Sequence, residues 1–578
     1  MSSTAPSLPV TGPQGLSQRA KLTIMGAVML GLFLSALDQT IVGTALPTIV
    51  TDLGGNSLYT WVVTAYLLTS TVTVPMWGKL SDLYGRRPIL LVGIGIFLVG
   101  SALSGLSQNM GELIAFRGLQ GIGAGSLFPV SLAVIGDLFS PRERGRYQGL
   151  FGAVFGLSFL VGPFLGGWIT DSIGWHWVFY VNVPIGIVAL AVIAAKLPNS
   201  RREGARGSLD LWGALVFTLA IVSLLIGLTE KGLTNSRGLS YGWLDWRVGG
   251  LMAFAAVLLA VFLWVESRAQ EPIIPLGLFR NVNFSLVQLA TFFLSFGFFG
   301  AVIFMPRYFQ AVRGISATAS GYMIWPMLVG LIATSVVAGQ LVSRSGRYRR
   351  LLIGAAVVMV VGMLLLTRLT ASTSDPALWL WLFIAGVGIG PSMSVYTVVV
   401  QATVPQRSMG VATSTLVFIR QVAGTVGLAI AGTLIGSGFT TLLPGQLTRA
   451  GVPAAAVRTL ARVGTGGLTG VGASAGTSVA HHLPPALQPM VPHIVRAIHS
   501  ALALAIASTF WLGVIGAAVA FLAVLLIREV RLRTTVGVGQ PAAPATPPAE
   551  AADRSAAMVP TGALGTAAPT PESSGTRS

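Results

Sequence analysis

GKLSDLYGRR, residues 78–87, returns 261 positions later as GQLVSRSGRY, residues 339–348, with glycine, leucine, glycine and arginine at matching places. A second echo pairs GIGAG at 121–125 with GVGIG at 386–390, an offset of 265. Two echoes in the same order and at nearly one offset argue for duplicated halves. Repeats of this kind build the membrane proteins in which two helical bundles rock about a site near the bilayer midplane.

The text around the repeats is that of an integral membrane chain. Only 9% of the 578 residues are charged and 53% are hydrophobic, with a mean hydropathy of +0.77, whereas soluble domains carry about 25% charged residues. The apolar runs continue for about 20 residues instead of alternating, which calls for helices and not a β-barrel. The 71 glycines suit helices packed backbone to backbone. Apolar runs place spans near 22–47, 58–77, 88–107, 111–135, 147–171 and 175–195, then 209–229 and 247–266. Six more follow near 284–305, 317–342, 350–369, 377–400, 409–436 and 500–527. The fold class expected is therefore all-α integral membrane: two six-helix bundles with pseudo-symmetry plus two inserted helices, fourteen spans in all. The expected organisation is a cytoplasmic segment 1–21, a bundle 22–195, a linker 196–283 holding the inserted pair, a bundle 284–527 and a disordered cytoplasmic tail 528–578. The first span is too long for a signal-peptide core and is read as retained.

Charge orients these spans. Alternate connections carry seventeen basic residues, from Lys79 to Arg407, while the short connections on the other side carry five. The positive-inside rule then puts both termini in the cytoplasm, and it accounts for the net charge of +18 without nucleic acid. The long connection 437–499 falls outside. It holds His481, His482, His493 and His499 at a spacing that forms no metal site. The absence of cysteine excludes disulfides and thiolate chemistry. A membrane enzyme or sensor is disfavoured, because the chain has neither a nucleotide-binding loop nor a soluble catalytic domain.

Asp38 lies in LTIMGAVMLGLFLSALDQTIVGTALPTIV, residues 22–50, as the only ionisable residue of a bilayer-long stretch. An acid at that depth costs about 2.5–3.5 kcal/mol on insertion scales. It either pairs with a buried base, for which Arg117 in the fourth span is the candidate, or titrates as part of transport. The other intramembrane charge is Arg420, followed by Gln421; it is a cavity residue or an anchor snorkelling to the cytoplasmic side. In GKLSDLYGRR, Gly78 and Gly85 permit close approach and a tight turn. Asp82 there pairs with Arg86 or Arg87, or caps a helix across the interface between halves.

Together these segments resemble the major facilitator superfamily, and within it the fourteen-helix drug:proton antiporter branch, over about residues 20–530. GKLSDLYGRR is similar to the family's cytoplasmic loop signature, which implies a latch of Gly78, Asp82, Gly85, Arg86 and Arg87; the second copy has Ser343 in place of the acid. LIAFRGLQGIGAG, residues 113–125, resembles the fourth-helix motif of proton-coupled members, containing Arg117 and Gln120. GLSFLVGPFLGG, residues 156–167, resembles the antiporter signature of the fifth helix, which implies a hinge or sliding face at Gly156, Gly162, Pro163, Gly166 and Gly167. WHWVFYVNVPIG, from Trp175, adds a family-like stretch with His176 where arginine is common. LDQTIVGTALP, residues 37–47, resembles the branch's first-helix signature; Asp38 occupies its acidic position, while Gly43 and Thr44 depart from the commoner asparagine and valine.

The resemblance implies a proton-coupled antiporter that exports amphipathic drugs or antibiotics by alternating access, with Asp38 and Arg117 as the coupling or substrate residues. Export of a lipid or a dedicated natural product is the alternative. The expected setting is a bacterial cytoplasmic membrane. The expected partners are protons, the bilayer and an amphipathic small molecule, with no nucleic acid and no cofactor, and the chain is expected to act as a monomer. Candidate cavity residues are Gln120, Arg420, Trp61, Tyr66, Phe292 and Phe296, with Met25, Met29, Phe33 and Tyr396 as further apolar lining. A single deep acid exchanges one proton for one monovalent cation without net charge movement, whereas a neutral substrate draws about 2.3 kcal/mol per 100 mV from the membrane potential. Poor handling of divalent cations follows.

Overall fold

A computed structural model describes residues 16–54, 58–198, 210–232, 241–269, 271–405, 408–453, 457 and 489–530. Among them there is no strand. The first half contains α1 (Gln18–Leu53), α2 (Tyr59–Tyr84), α3 (Arg86–Leu106), α4 (Met110–Leu138), α5 (Pro141–Ser172), α6 (Trp177–Tyr180) and α7 (Asn182–Lys196). The inserted pair is α8 (Leu211–Gly232) and α9 (Leu251–Arg268). The second half contains α10 (Val282–Ala311), α11 (Ala317–Met323), α12 (Trp325–Ser345), α13 (Arg349–Leu366), α14 (Asp375–Thr403), α15 (Met409–Arg449) and α16 (Val491–Leu526).

Thirteen helical segments are long and apolar enough to cross a membrane, with α6–α7 counted as one. The 26-residue α2 makes the fourteenth expected span. Its Thr64, Thr69, Ser70, Thr71 and Thr73 lower its apolarity, but several of them bond back to the helix's own carbonyls, as Thr69 does to Ala65 at 2.9 Å and Thr73 to Thr69 at 2.8 Å.

Local chemistry sets the helix ends. Asn109 caps α4 by accepting from the Glu112 amide at 2.9 Å. Ser140 and Glu143 form a reciprocal capping box with Pro141 in the first turn of α5. Two expected spans are each divided by a proline. Pro184 lacks the N–H that would reach the Tyr180 carbonyl, so α6 ends and α7 begins; Pro326 does the same to Tyr322 between α11 and α12.

The repeat is visible in the packing. On α4, Gly121 and Gly125 face Tyr66, Thr69 and Thr73 of α2, while Gly123 faces Phe97 and Gly93 of α3. On α14, Gly386 and Gly390 face Met327 and Thr334 of α12, while Gly388 faces Met359 of α13. Alternate glycines thus serve alternate neighbours in both halves, and α2–α4 correspond to α12–α14. The repeated turn also matches: Gly85 has φ 96° and Gly346 has φ 68°, a backbone region that favours glycine.

The inserted α8 lies against the first half and α15, with Phe217 5.1 Å from the Phe262 ring of α9 and 5.2 Å from the Phe418 ring of α15. Helix α9 is peripheral and turns Phe254, Val257 and Trp264 outward.

Two expected boundaries change, those on either side of the long connection. The thirteenth span does not stop at 436, and the last does not wait until 500. Gly436 and Gly438, at about 1 kcal/mol each against alanine, read as a helix end, yet α15 continues to Arg449. Phe439, Leu443 and Leu447 bury one stripe of its extension, in the same apolar cluster as Ile494, Ile498 and Ala501 of the early α16. Residues 437–449 and 491–499 of the expected loop are therefore helical. His493 and His499 lie on α16, and His481 and His482 lie outside the described residues, as do residues 1–15 and 531–578.

Gly123→Ala is expected to destabilise the protein by about 1–3 kcal/mol, the range for overpacking, because the added Cβ would lie 2.4 Å from the Phe97 amide nitrogen. Gly95→Ala, with nothing within 4 Å, should leave the thermal midpoint in detergent unlowered and raise it by the equivalent of up to about 1 kcal/mol, the helix preference of alanine over glycine.

Candidate proton and substrate site

Asp38 is 0% exposed and Arg117 1%. The Arg117 Nη1 donates to Asp38 Oδ2 at 2.6 Å and to Gln120 Oε1 at 2.6 Å. The other carboxylate oxygen accepts from Gln120 Nε2 at 2.9 Å and from Asn182 Nδ2 at 3.1 Å. Asn182 is held in turn by Ser101 Oγ at 3.0 Å, and Ser101 donates to the Phe179 carbonyl at 2.9 Å. Tyr66 closes the cage, with the guanidinium 4.2 Å from its ring centroid and its hydroxyl against Ser35 at 3.2 Å. Two ions withdrawn from water each lose several kcal/mol of solvation. Charge-assisted hydrogen bonds at this spacing offset that loss. The close packing of α3 on α4 is part of the cage, because a Cβ on Gly100 would lie 2.5 Å from the Gln120 amide nitrogen.

The second half holds a pocket. It is lined by Thr291, Leu294, Ser295 and Phe298 of α10, by Ile389, Ser392, Met393 and Tyr396 of α14, and by Arg420 of α15. Of the candidate cavity residues, Arg420 and Tyr396 line it. Phe292 and Phe296 turn instead into a ring cluster, 5.2 Å apart, with Phe296 against Gly427. Gln120 and Tyr66 belong to the Asp38 cage, and Trp61 is half-buried on α2. Met25 is buried in the first-half core, with Met29 packed beside it.

At the end of the bundle that carries the basic turns, the halves are bolted together. Asp82 accepts from the amides of Gly410 at 3.0 Å and Val411 at 2.9 Å, so a carboxylate of α2 caps the N-terminus of α15 in the other half. Arg86 pairs with Asp82 at 2.6 Å and with Asp137 at 3.0 Å. Arg87 takes no part in that pair and donates to the Ala194 carbonyl of α7. Gly78 lies against Ser414 and Gly410, and its counterpart Gly339 against Gly145 and Gly149 of α5. Ser343, which stands where Asp82 has its acid, contributes a carbonyl instead. It accepts from Arg142 Nε at 2.7 Å, and Arg344 accepts from Arg142 Nη2 at 2.5 Å. One bolt thus sets an anion on a helix N-terminus and the other a cation on a helix C-terminus. Gln148 and Gln401, 2.8 Å apart, bridge the halves deeper in.

The fold agrees with what known proteins display. A profile of the Major Facilitator Superfamily matches residues 28–428. The chain belongs to that superfamily. The multidrug transporter protein MdtP of Bacillus subtilis is 43% identical over 434 residues, covering 75% of this chain and 79% of its own. Multidrug resistance protein 3 of the same organism is 39% identical over 423 residues, covering 73% and 81%. Among solved structures, the proton:xylose symporter XylE superposes with a TM-score of 0.55 at 14% identity, covering 89% of this chain and 97% of that one; this similarity speaks for the fold alone. The chain is a multi-pass membrane transporter of the major facilitator type and not an enzyme.

Within this facilitator the glycines of α5 divide between two neighbours. Gly156 packs on Ile332 of α12 across the interface, whereas Gly162 faces Thr40 and Gly166 faces Thr44 and Ile41 of α1. Pro163 lies inside the helix, and Thr40 donates to the Ser158 carbonyl at 3.1 Å. Gly167 has nothing within 4 Å and contributes no packing face.

Sequence reasoning missed Asn182, Ser101, Asp137 and Arg142. A lone asparagine in the apolar run after Trp175 was a legible signal for the first; charges at helix ends such as Asp137 and Arg142 carry none until a partner is seen. Asp82→Asn removes the charge facing α15 and one acceptor from two amides, each worth about 1 kcal/mol. Spin labels on Tyr84→Cys and Ser345→Cys, in a chain without native cysteine, should then report an about tenfold larger population with the basic end separated.

Proposed function

We propose that this facilitator is a proton-coupled antiporter that exports amphipathic drugs or antibiotics across the bacterial cytoplasmic membrane. It works as a monomer, with both termini and the bolted basic end in the cytoplasm and without a cofactor. The names of its Bacillus relatives support the drug class. The observation that carries proton coupling is the Asp38 cage: the deep acid is fully enclosed and has every carboxylate contact supplied by Arg117, Gln120 and Asn182.

Such a cage has two self-consistent arrangements. With Asp38 ionised, the ion pair is closed and the carboxylate accepts from three donors. With Asp38 protonated, its charge no longer balances Arg117, and the guanidinium must find water or another acceptor, which requires α1, α4 and α7 to shift. Proton uptake from outside and its release inside are thereby tied to helix movement, and alternating access follows if that movement also frees the Asp82 and Arg142 bolts.

Asp38→Asn keeps the size and an acceptor for Arg117 but cannot carry the proton. In proteoliposomes its substrate accumulation under an imposed pH gradient should fall by more than about tenfold, the equivalent of about 1.4 kcal/mol, while substrate counterflow without a gradient continues. Accumulation that persists in Asp38→Asn with undiminished proton dependence contradicts the coupling role.

A further inference from the structure

The two deep arginines are treated differently. Arg117 has its counter-ion at 2.6 Å. Arg420 has none: among the described residues it forms no ion pair, and its Nη2 is buried without a hydrogen-bond partner. It does not snorkel to either membrane surface but lines the second-half pocket beside Tyr396. On the same wall, Thr291 Oγ1 is also buried and unpartnered. The rest of the wall is apolar, from Leu294, Phe298, Ile389 and Met393.

From this geometry we infer that the pocket is an anion subsite, in which Arg420 receives the carboxylate or equivalent single negative charge of an amphipathic substrate whose apolar body lies on the α10 and α14 wall. The inference rests on the export reading above and names its substrate class. A guanidinium offers up to five N–H donors in a planar fork suited to a carboxylate. Arg420 is half-buried, with its Nη2 enclosed and unpartnered, and a cation so placed is costly in a protein interior, so a bound anion gains more here than at a site already neutralised by protein. Thr291, lacking a partner for its hydroxyl, supplies a further donor on the same wall.

The charge balance of the cycle changes with it. One proton entering and one monoanion leaving both move positive charge inward, two elementary charges in all. The membrane potential then drives anion export twice as steeply as export of a neutral compound, and it drives neither step against the other. A monovalent cation at Arg420 faces like charge, and its exchange draws nothing from the potential.

Three ligands with one naphthyl-alkyl skeleton separate the readings: a carboxylate, its methyl ester and a quaternary ammonium, bound to the purified protein in detergent and followed by fluorescence. The wild-type protein should bind the carboxylate at least about tenfold more tightly than the ester, by the factor of ten that one charge-assisted contact of about 1.4 kcal/mol supplies. Arg420→Gln should abolish that discrimination while ester affinity stays as it was, and Arg420→Lys should keep part of it. Unchanged ester binding also reports that Arg420→Gln is folded. Equal binding of carboxylate and ester by the wild type, preference for the ammonium, or equal weakening of all three by Arg420→Gln overturns the inference. Gradient-driven uptake of the ester tests export separately: carboxylate selectivity in binding with no uptake of any ligand leaves the subsite standing and removes the export reading.

Discussion

The ion pair between Asp38 and Arg117 is the constraint around which the first half is arranged. Neither charge is tolerable alone in a water-free interior, where removing one partner of such a pair costs about 3–5 kcal/mol. Their union requires α1 and α4 to lie close, Asn182 to arrive from α7 and Ser101 from α3 to hold it. Gly100 and Gly123 allow α3 to approach α4, and Gly121 allows α2 with Tyr66 to do so, because each would clash with backbone if it carried a side chain. The glycine pattern that marks the fold is therefore also what brings the polar groups within reach of one another.

A similar economy of helix ends operates at the basic face. Hydrogen-bonding groups left open at the start of α15 and the end of α12 are completed from the opposite half, by Asp82 and Arg142. Closure thus depends on a few exchangeable contacts and on glycine surfaces such as Gly78 on Ser414 and Gly145 on Gly339, beside the apolar contacts that Val417 and Phe418 of α15 make with the first-half core. Contacts of this kind suit an interface that has to open: each helix end exchanges its protein partner for water at small cost, and the glycine faces separate without unwinding a helix.

Much of this was legible from residues alone, for definable reasons. Length and apolarity marked the spans, charge marked the turns, and the recurrence of GKLSDLYGRR marked the duplication, because each is a local property. Pairing of Asp38 with Arg117 was foreseeable from cost, since two lone charges at depth need each other. What stayed hidden depended on distant partners. Nothing in the text around Ser343 says that its carbonyl would serve where Asp82 has a carboxylate, and the glycines after Ile435 concealed a helix that Phe439, Leu443 and Leu447 continue. Arg420 was ambiguous between anchor and cavity in the sequence; in the structure it lines the second-half pocket.

The halves then divide the work. Under the proposed function the first, with its balanced, enclosed charge pair, responds to a proton, and the second, with an unbalanced cation in a small pocket, responds to a ligand. The central claim is that these responses are linked through Asp38. Proton release on ligand addition, followed with a pH dye in weakly buffered detergent solution, tests it most directly. The account predicts release of up to about one proton per transporter on adding the naphthyl-alkyl carboxylate at a pH low enough for Asp38 to start protonated, and none from Asp38→Asn. Ligand binding without proton release, or release of the same size from Asp38→Asn, would contradict it.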